Sequence, residues 1–131
     1  MFNRDDVRKK SATGPKQILA NVEMQAAVGC IVDDATGIYA TVDGRKIVKA
    51  GTPLKIVLET RNTTAAVLAT ASVVMNAVLL HDVDVTDGKA NGTALLFGFI
   101  NLNRVDTDVQ TKITTARTAT GVSPLLVFLK S

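Results

Sequence analysis

The sequence predicts a mainly β fold, a β-rich α+β domain resembling a small barrel or sandwich with one or two short helices. Runs rich in Val, Ile, Leu and Thr alternate with turn-forming Gly, Asp, Asn and Pro along most of the chain. A length of 131 residues suits one domain with a modest core. A hydrophobic share of 47% and a charged share of 21% are typical of a folded globular protein.

The first sixteen residues differ from the rest in charge. They carry five basic side chains against Asp5 and Asp6, and the Gly14-Pro15 pair at their end is a turn signal. We therefore predict an extended basic N-terminal arm over residues 1–16 and a single β-rich domain over residues 17–131. Such an arm favours an acidic partner surface, of protein or nucleic acid, although a solvated tail is the alternative. The basic residues are Arg4, Arg8, Lys9, Lys10 and Lys16.

Residues 17–58 begin the domain. Apolar residues recur without a clear period over 17–32, so strand and short helix both remain open. Two β-rich runs, 38–42 and 45–49, flank Asp43-Gly44, and this pair predicts a hairpin because both residues tolerate the positive φ of a tight turn. The bend at 50–53 ends the second strand, and a third begins at Leu54.

The second half of the chain continues with strands and one helix. Helix and strand compete over 65–80, where we expect a short helix or loop leading into a strand at 77–80. The turn-dense stretch 87–92 predicts a hairpin that joins residues 78–85 to residues 93–100. Apolar residues at helical spacing predict a helix within 103–118, with Asp106 as its N-cap and Gly121 beyond its end. A last strand begins at Pro124.

His81, the only histidine, stands among three aspartates in His81-Asp82-Val83-Asp84-Val85-Thr86-Asp87. A calcium loop counted from Asp82 fails, because its sixth position is not glycine and its twelfth is not glutamate. On a strand, His81 and Asp82 point to opposite faces, which divides the cluster. We interpret Asp82 and Asp84 as solvated charges on one face, with an acid–base pair as the alternative. His81 is expected to be packed and hydrogen-bonded at the edge of the apolar face.

Other chemistry finds little support in the sequence. Gly-x-Ser-x-Gly, a phosphate-binding Gly-rich loop and His-Glu-x-x-His have no match. Cys30 is the only cysteine and lies in an apolar run, so we predict a small buried residue rather than a reactive thiol. We expect no enzymatic activity, no cofactor and no metal.

Aromatic residues make up 4% of the chain and tryptophan is absent, which argues against a base-stacking platform. The sequence shows neither an apolar span of membrane length nor a signal-peptide pattern, and we expect no membrane partner.

Two segments, GRKIVKAGTPLK at 44–55 and NAVLLHDVDVTDGKANGTALLFGFINLNRVD at 76–106, together resemble the capsid decoration proteins of tailed bacteriophages. The resemblance is to the lambda-type family and its relatives in phages of Gram-positive hosts, and it covers roughly residues 38–130. The matching residues are Lys49, Ala50, Gly51, Thr52, Pro53 and Leu54, then His81, Asp82, Val83, Asp84, Gly88, Asn91, Gly92, Phe97 and Gly98.

This resemblance implies a small β-rich fold without enzymatic activity. It also implies a place on the outer surface of the assembled head, commonly as homotrimers at three-fold and quasi-three-fold positions, where the protein stabilises the shell against the pressure of packaged DNA. The partner would be the major capsid protein, with Arg4, Arg8, Lys9, Lys10 and Lys16 as candidates for shell contact. The protein would be made in the host cytoplasm and would not bind nucleic acid directly. The alternatives are a tail-tube or head–tail joining subunit, or a small nucleic-acid-binding barrel.

Overall fold

The computed structural model describes residues 17–130, except for the side chains of residues 21–24. The predicted arm at residues 1–16 therefore lies outside the described residues. The described part contains nine strands, one α-helix and two short 3₁₀ turns. These elements are β1 Leu19–Val32, β2 Ala40–Val42, β3 Arg45–Val48, β4 Pro53–Lys55, a 3₁₀ turn Leu58–Thr60, β5 Val67–Leu68, β6 Ala77–Leu79, β7 Val83–Asp84, β8 Ala90–Asn101, a 3₁₀ turn Leu102–Arg104, α1 Thr107–Ala116 and β9 Leu126–Leu129.

The strands form two sheets, which confirms the mainly β prediction. The larger sheet has the order β1-β8-β6-β4-β5, and β9 pairs with β8 in parallel while the other pairings are antiparallel. The smaller sheet has the order β2-β3-β7. The larger sheet does not close into a barrel, although an isolated bridge joins Val32 at the end of β1 to Ala66 beside β5. No helix in the described range is long and apolar enough to span a membrane.

The larger sheet buries apolar side chains on both faces. Alternation along β6 explains this, because Val78 points to one face and Ala77 and Leu79 point to the other. The first core lies under α1, where the apolar stripe of the helix packs on the sheet. The second core lies between the larger sheet and the smaller sheet. The helix contributes Val109, Ile113 and Ala116 to the first core, and the smaller sheet contributes Val48 and Val83 to the second.

Several sequence predictions are confirmed. The Asp43-Gly44 hairpin joins β2 to β3, with φ values of 51° and 78° at these two residues. The helix forms at Thr107–Ala116 with Asp106 at its N-cap position. The open choice over residues 17–32 is resolved as strand β1.

The predicted hairpin between residues 78–85 and 93–100 is wrong in its details. Only β6 pairs with β8, whereas β7 crosses to the smaller sheet and pairs with β3. The chain changes sheets at Leu80–Asp82, where one strand was expected to continue. No helix forms between residues 65 and 76, and the short strand β5 and loops occupy that stretch.

Candidate functional site

The two segments that carry the family resemblance meet in one hydrogen-bonded unit. The Gly51 amide donates to the Leu79 carbonyl at 2.7 Å, and the Leu79 amide donates to the Thr52 carbonyl at 2.9 Å. The Ala50 amide donates to Asp82 Oδ1 at 2.7 Å. We call residues 49–53 together with residues 79–84 the motif junction. It ties the bend between β3 and β4 to the crossing between β6 and β7.

The shape of the bend follows from its residue types. Gly51 has a φ of 94°, which favours glycine, and it is buried against α1. Thr52 is fully buried, and its hydroxyl donates to the Lys49 carbonyl at 2.6 Å. Pro53 opens β4, a position where proline is tolerated in a sheet. Each residue of the Ala-Gly-Thr-Pro sequence therefore has a backbone or packing reason to stand where it does.

Asp82 supports the bend through its carboxylate, so we predict a local stability cost when it is removed. Asp82→Ala should lower the free energy of unfolding by about 1–2 kcal/mol, because the Ala50 amide loses a charged acceptor. Asp82→Asn keeps an oxygen at the same place and should lose less than half of that. Urea unfolding of the three proteins at pH 7 measures the difference. Equal losses for both variants would contradict this role.

Asp84 pairs with Arg45 across the small sheet, and its backbone pairs with Ile47. The hydrogen bond from Arg45, helped by those from Thr86, lowers the pKa of Asp84 to about 2. Both side chains are exposed. Sequence reasoning foresaw the exposure of Asp84 but not its partner, which lies 39 positions earlier.

A carboxyl group whose pKa is lowered on folding stabilises the protein above its unfolded pKa of about 3.9. That contribution is lost as the pH falls through the folded value of about 2. We predict that Asp84→Asn is less stable than the wild type at pH 5 and that the difference shrinks toward zero at pH 2. Arg45→Gln should behave in the same way, and the double variant should add nothing further. Urea unfolding between pH 2 and pH 5 tests this prediction, and a stability difference that does not depend on pH would refute it.

His81 does not join the two aspartates in a common site. Asp82 and Asp84 bind separate partners on different elements. His81 is half-buried, and its Nδ1 atom is buried without a hydrogen-bond partner, so the hydrogen bond expected for His81 is not made at this atom. Among residues 17–130 no three His, Cys, Asp or Glu side chains are grouped so that they could hold a metal ion.

The remaining matched residues lie on or beside β8. Gly88 has a φ of 107° in the turn before the strand. Gly92 faces Leu79 and Val83, so that this glycine contacts the motif junction from the neighbouring strand. Phe97 and Gly98 lie further along β8, beyond the junction. The structure thus brings Gly92 to the site and leaves Phe97 and Gly98 apart from it.

Lys49 provides a connection that the sequence analysis missed. Its ammonium group lies 3.3 Å from Asp106 and 3.2 Å from Asp108, at the start of α1. Burial alone would lower the pKa of Lys49, but hydrogen bonds and charge attraction from these aspartates outweigh burial and raise it. The two acidic residues also suit the positive end of the helix dipole. The motif junction is therefore anchored to the helix as well as to the sheet.

Two other sequence predictions concern residues away from this site. Cys30 is buried, as predicted, and burial raises the pKa of its thiol. The candidates for shell contact at Arg4, Arg8, Lys9, Lys10 and Lys16 lie outside the described residues.

Comparison with known proteins returned no match to any protein-family model, curated protein or solved structure. A functional interpretation of the chain therefore depends on its own motifs and on the geometry that joins them.

Proposed function

We propose that this chain is a structural virion protein that binds the outer surface of an assembled phage capsid and stabilises the head against internal DNA pressure. The motif junction carries the proposal. The two segments that resemble the decoration-protein family are more than 20 residues apart in sequence, yet the Ala50, Gly51 and Leu79 amides bond them to each other. A chance likeness of two separate turns gives no reason for the turns to meet.

The partner in this proposal is the major capsid protein. The protein would occupy three-fold and quasi-three-fold positions as a homotrimer, as the family resemblance implies. Many identical contacts around a symmetric shell add up, so that no single contact needs high affinity. The basic residues within 1–16 favour an acidic shell surface, since opposite charges accelerate docking.

Purified protein added to empty expanded heads of its own phage tests the proposal. We expect saturable, stoichiometric addition, seen by sedimentation of the heads, and a higher melting temperature of the shell. Labelled protein in negative-stain images should mark the head and leave the tail bare. Addition without any change in shell melting, or label on the tail, would reject this function.

The arm has its own test. A chain lacking residues 1–16 should bind heads more weakly, and the loss should be larger at low salt, where electrostatic attraction is screened least. An arm without side-chain charge, in which Asp5 and Asp6 are changed to Asn and the basic residues to Gln, separates charge from length; the basic residues are Arg4, Arg8, Lys9, Lys10 and Lys16. Binding equal to that of the full chain in both cases would remove the arm from the proposal.

A further inference from the structure

We propose that the outer edge of β1 around Ala27 and Gly29 is a strand-addition site that accepts an extended, uncharged segment of the shell protein. The inference rests on the proposed function for the identity of its partner. Three observations support the site itself: the direction of the backbone groups on β1, the side chains around them and the apolar surface beside them.

The direction of the β1 backbone groups follows from two hydrogen bonds. The Ile31 carbonyl accepts from the Ala66 amide at 2.8 Å, so the backbone groups of Ile31 point away from β8. The Thr93 carbonyl accepts from Leu80 at 2.9 Å on the far side of β8, so Thr93, opposite Gly29, points away from β1. The ladder is regular from Ala27 to Val32, and alternate residues therefore share this direction. Ala27 and Gly29 present their N–H and C=O groups outward.

Among residues 17–130, nothing gives the usual protection to the strand edge on which these outward groups lie. Natural edges are guarded by charged side chains, proline or a covering loop. Residues 25–32 contain no charged residue and no proline. Ala26, Ala27 and Gly29 are all exposed, and a Cβ at Gly29 would meet nothing within 4 Å. Another backbone can therefore approach closely along this stretch.

The open part of the β1 edge ends before Ile31. The Ala66 segment takes the position beside Ile31 and Val32, and a cleft of about 400 Å³ lies next to it, lined in part by Gly29, Asn62 and Asn91. An added strand would run along β1 and end in this cleft, where two amide side chains offer donors and acceptors to its last residue.

An apolar surface lies beside the same edge. Ala26 is opposite Phe97, and Phe99 is opposite Val127, so these side chains share one face of the larger sheet. The two phenylalanine rings contact each other edge to face at 6.3 Å, and they belong to neither core. Leu129, two residues after Val127 on β9, shares this face and is 42% exposed, and Leu125 in the turn before β9 is 52% exposed.

These properties decide the chemistry of the occupant. Main-chain groups that no residue within 17–130 pairs with demand an extended backbone, and the apolar face demands apolar side chains at alternate positions. A charged segment would lose its hydration here without finding a counter-charge on residues 25–32. The occupant is therefore an extended, uncharged, apolar-patterned segment, which under the proposed function belongs to the capsid shell.

Ala27→Pro tests the site, because proline removes the outward amide while the hydrogen-bonded positions on either side still pair with β8. Ala27→Val is the matched control, since it adds a branched side chain and keeps the amide. We expect Ala27→Pro to weaken binding to empty expanded heads by about tenfold and Ala27→Val to bind like the wild type. In hydrogen exchange, the Ala27 and Gly29 amides of the wild type should exchange freely in solution and become protected on heads.

The outcomes of these experiments separate failure of the strand-addition site from failure of the proposed function. Wild-type binding that is unchanged in Ala27→Pro, or amides that stay unprotected on heads, overturns the inference and leaves the proposed function standing. Wild-type protein that does not bind heads overturns both. Self-association of the purified protein that Ala27→Pro abolishes would assign the edge to a second copy, which also overturns it. If Ala27→Pro lowers the melting temperature of the protein, the exchange measurement on the wild type decides alone.

Discussion

Gly51→Ala should be among the most damaging single methyl additions in the protein, lowering the free energy of unfolding by about 2–5 kcal/mol. Two separate costs combine. The φ of 94° at this position disfavours any side chain, by about 1–2 kcal/mol. A Cβ there would also lie 2.9 Å from Val105 Cγ1 and 3.3 Å from Val109 Cγ1, against the packed start of α1. Crowding of this kind costs about 1–3 kcal/mol.

Gly37→Ala separates these two costs. Gly37 has nearly the same φ, 90°, but a Cβ there would meet nothing within 4 Å. Gly37→Ala should therefore show the conformational cost alone. That cost is reduced because alanine lowers the conformational entropy of the unfolded chain. Urea unfolding of both variants gives the comparison. A Gly51→Ala loss no larger than that of Gly37→Ala would mean that the helix moves aside freely and that the motif junction does not depend on close packing.

The parts of the fold that the sequence predicted are those determined by neighbouring residues. The Asp43-Gly44 turn forms because positive φ is required there and these residues supply it. The helix forms because Val109, Ile113 and Ala116 recur with its period and bury one stripe. Cys30 is buried because its apolar surroundings on β1 pack into the second core.

The parts that the sequence did not predict depend on partners distant in the chain. The alternation of buried Val83 and Val85 was seen correctly, but nothing local shows that β7 pairs with β3 rather than β8. The ion pairs of Lys49 with Asp106 and Asp108 join residues more than 50 positions apart. The sequence carried only part of the signal for these ion pairs: acidic residues at the start of a predicted helix suit its dipole, but nothing local identifies the cation that pairs with them.

The candidate site shows the same division. The two motifs were recognised as separate turns. The first turn is explained by Gly51 and Pro53, and the second by the positive φ of Gly88. Their contact is a property of the folded chain, because it requires β4 and β8 to flank β6 and bring Gly51 and Gly92 to either side of Leu79. Leu79 therefore links both motifs through its backbone and its side chain.

This position of Leu79 leads to a second prediction of large effect. Its side chain is fully buried, and Leu79→Ala should cost about 2–5 kcal/mol through lost burial and the cavity left behind. Gly92→Ala should cost about 1–3 kcal/mol, because its Cβ would lie 3.1 Å from Leu79 Cδ1 and 3.0 Å from Val32 Cγ2. Both are measured as the free energy of unfolding in urea.

The double variant is more informative than either single change. The methyl group added at Gly92 points into the space that Leu79→Ala empties. The double variant should therefore lose less stability than the sum of the two single losses, by about 0.5 kcal/mol or more. Gly98→Ala is the matched control on the same strand, since its Cβ would crowd Leu95, which packs in the other core. In the double variant of Leu79→Ala and Gly98→Ala, the two losses in free energy of unfolding should be additive. Additivity in both pairs would mean that Leu79 and Gly92 do not share a packing site, and coupling in both pairs would mean that the two faces of the larger sheet respond as one.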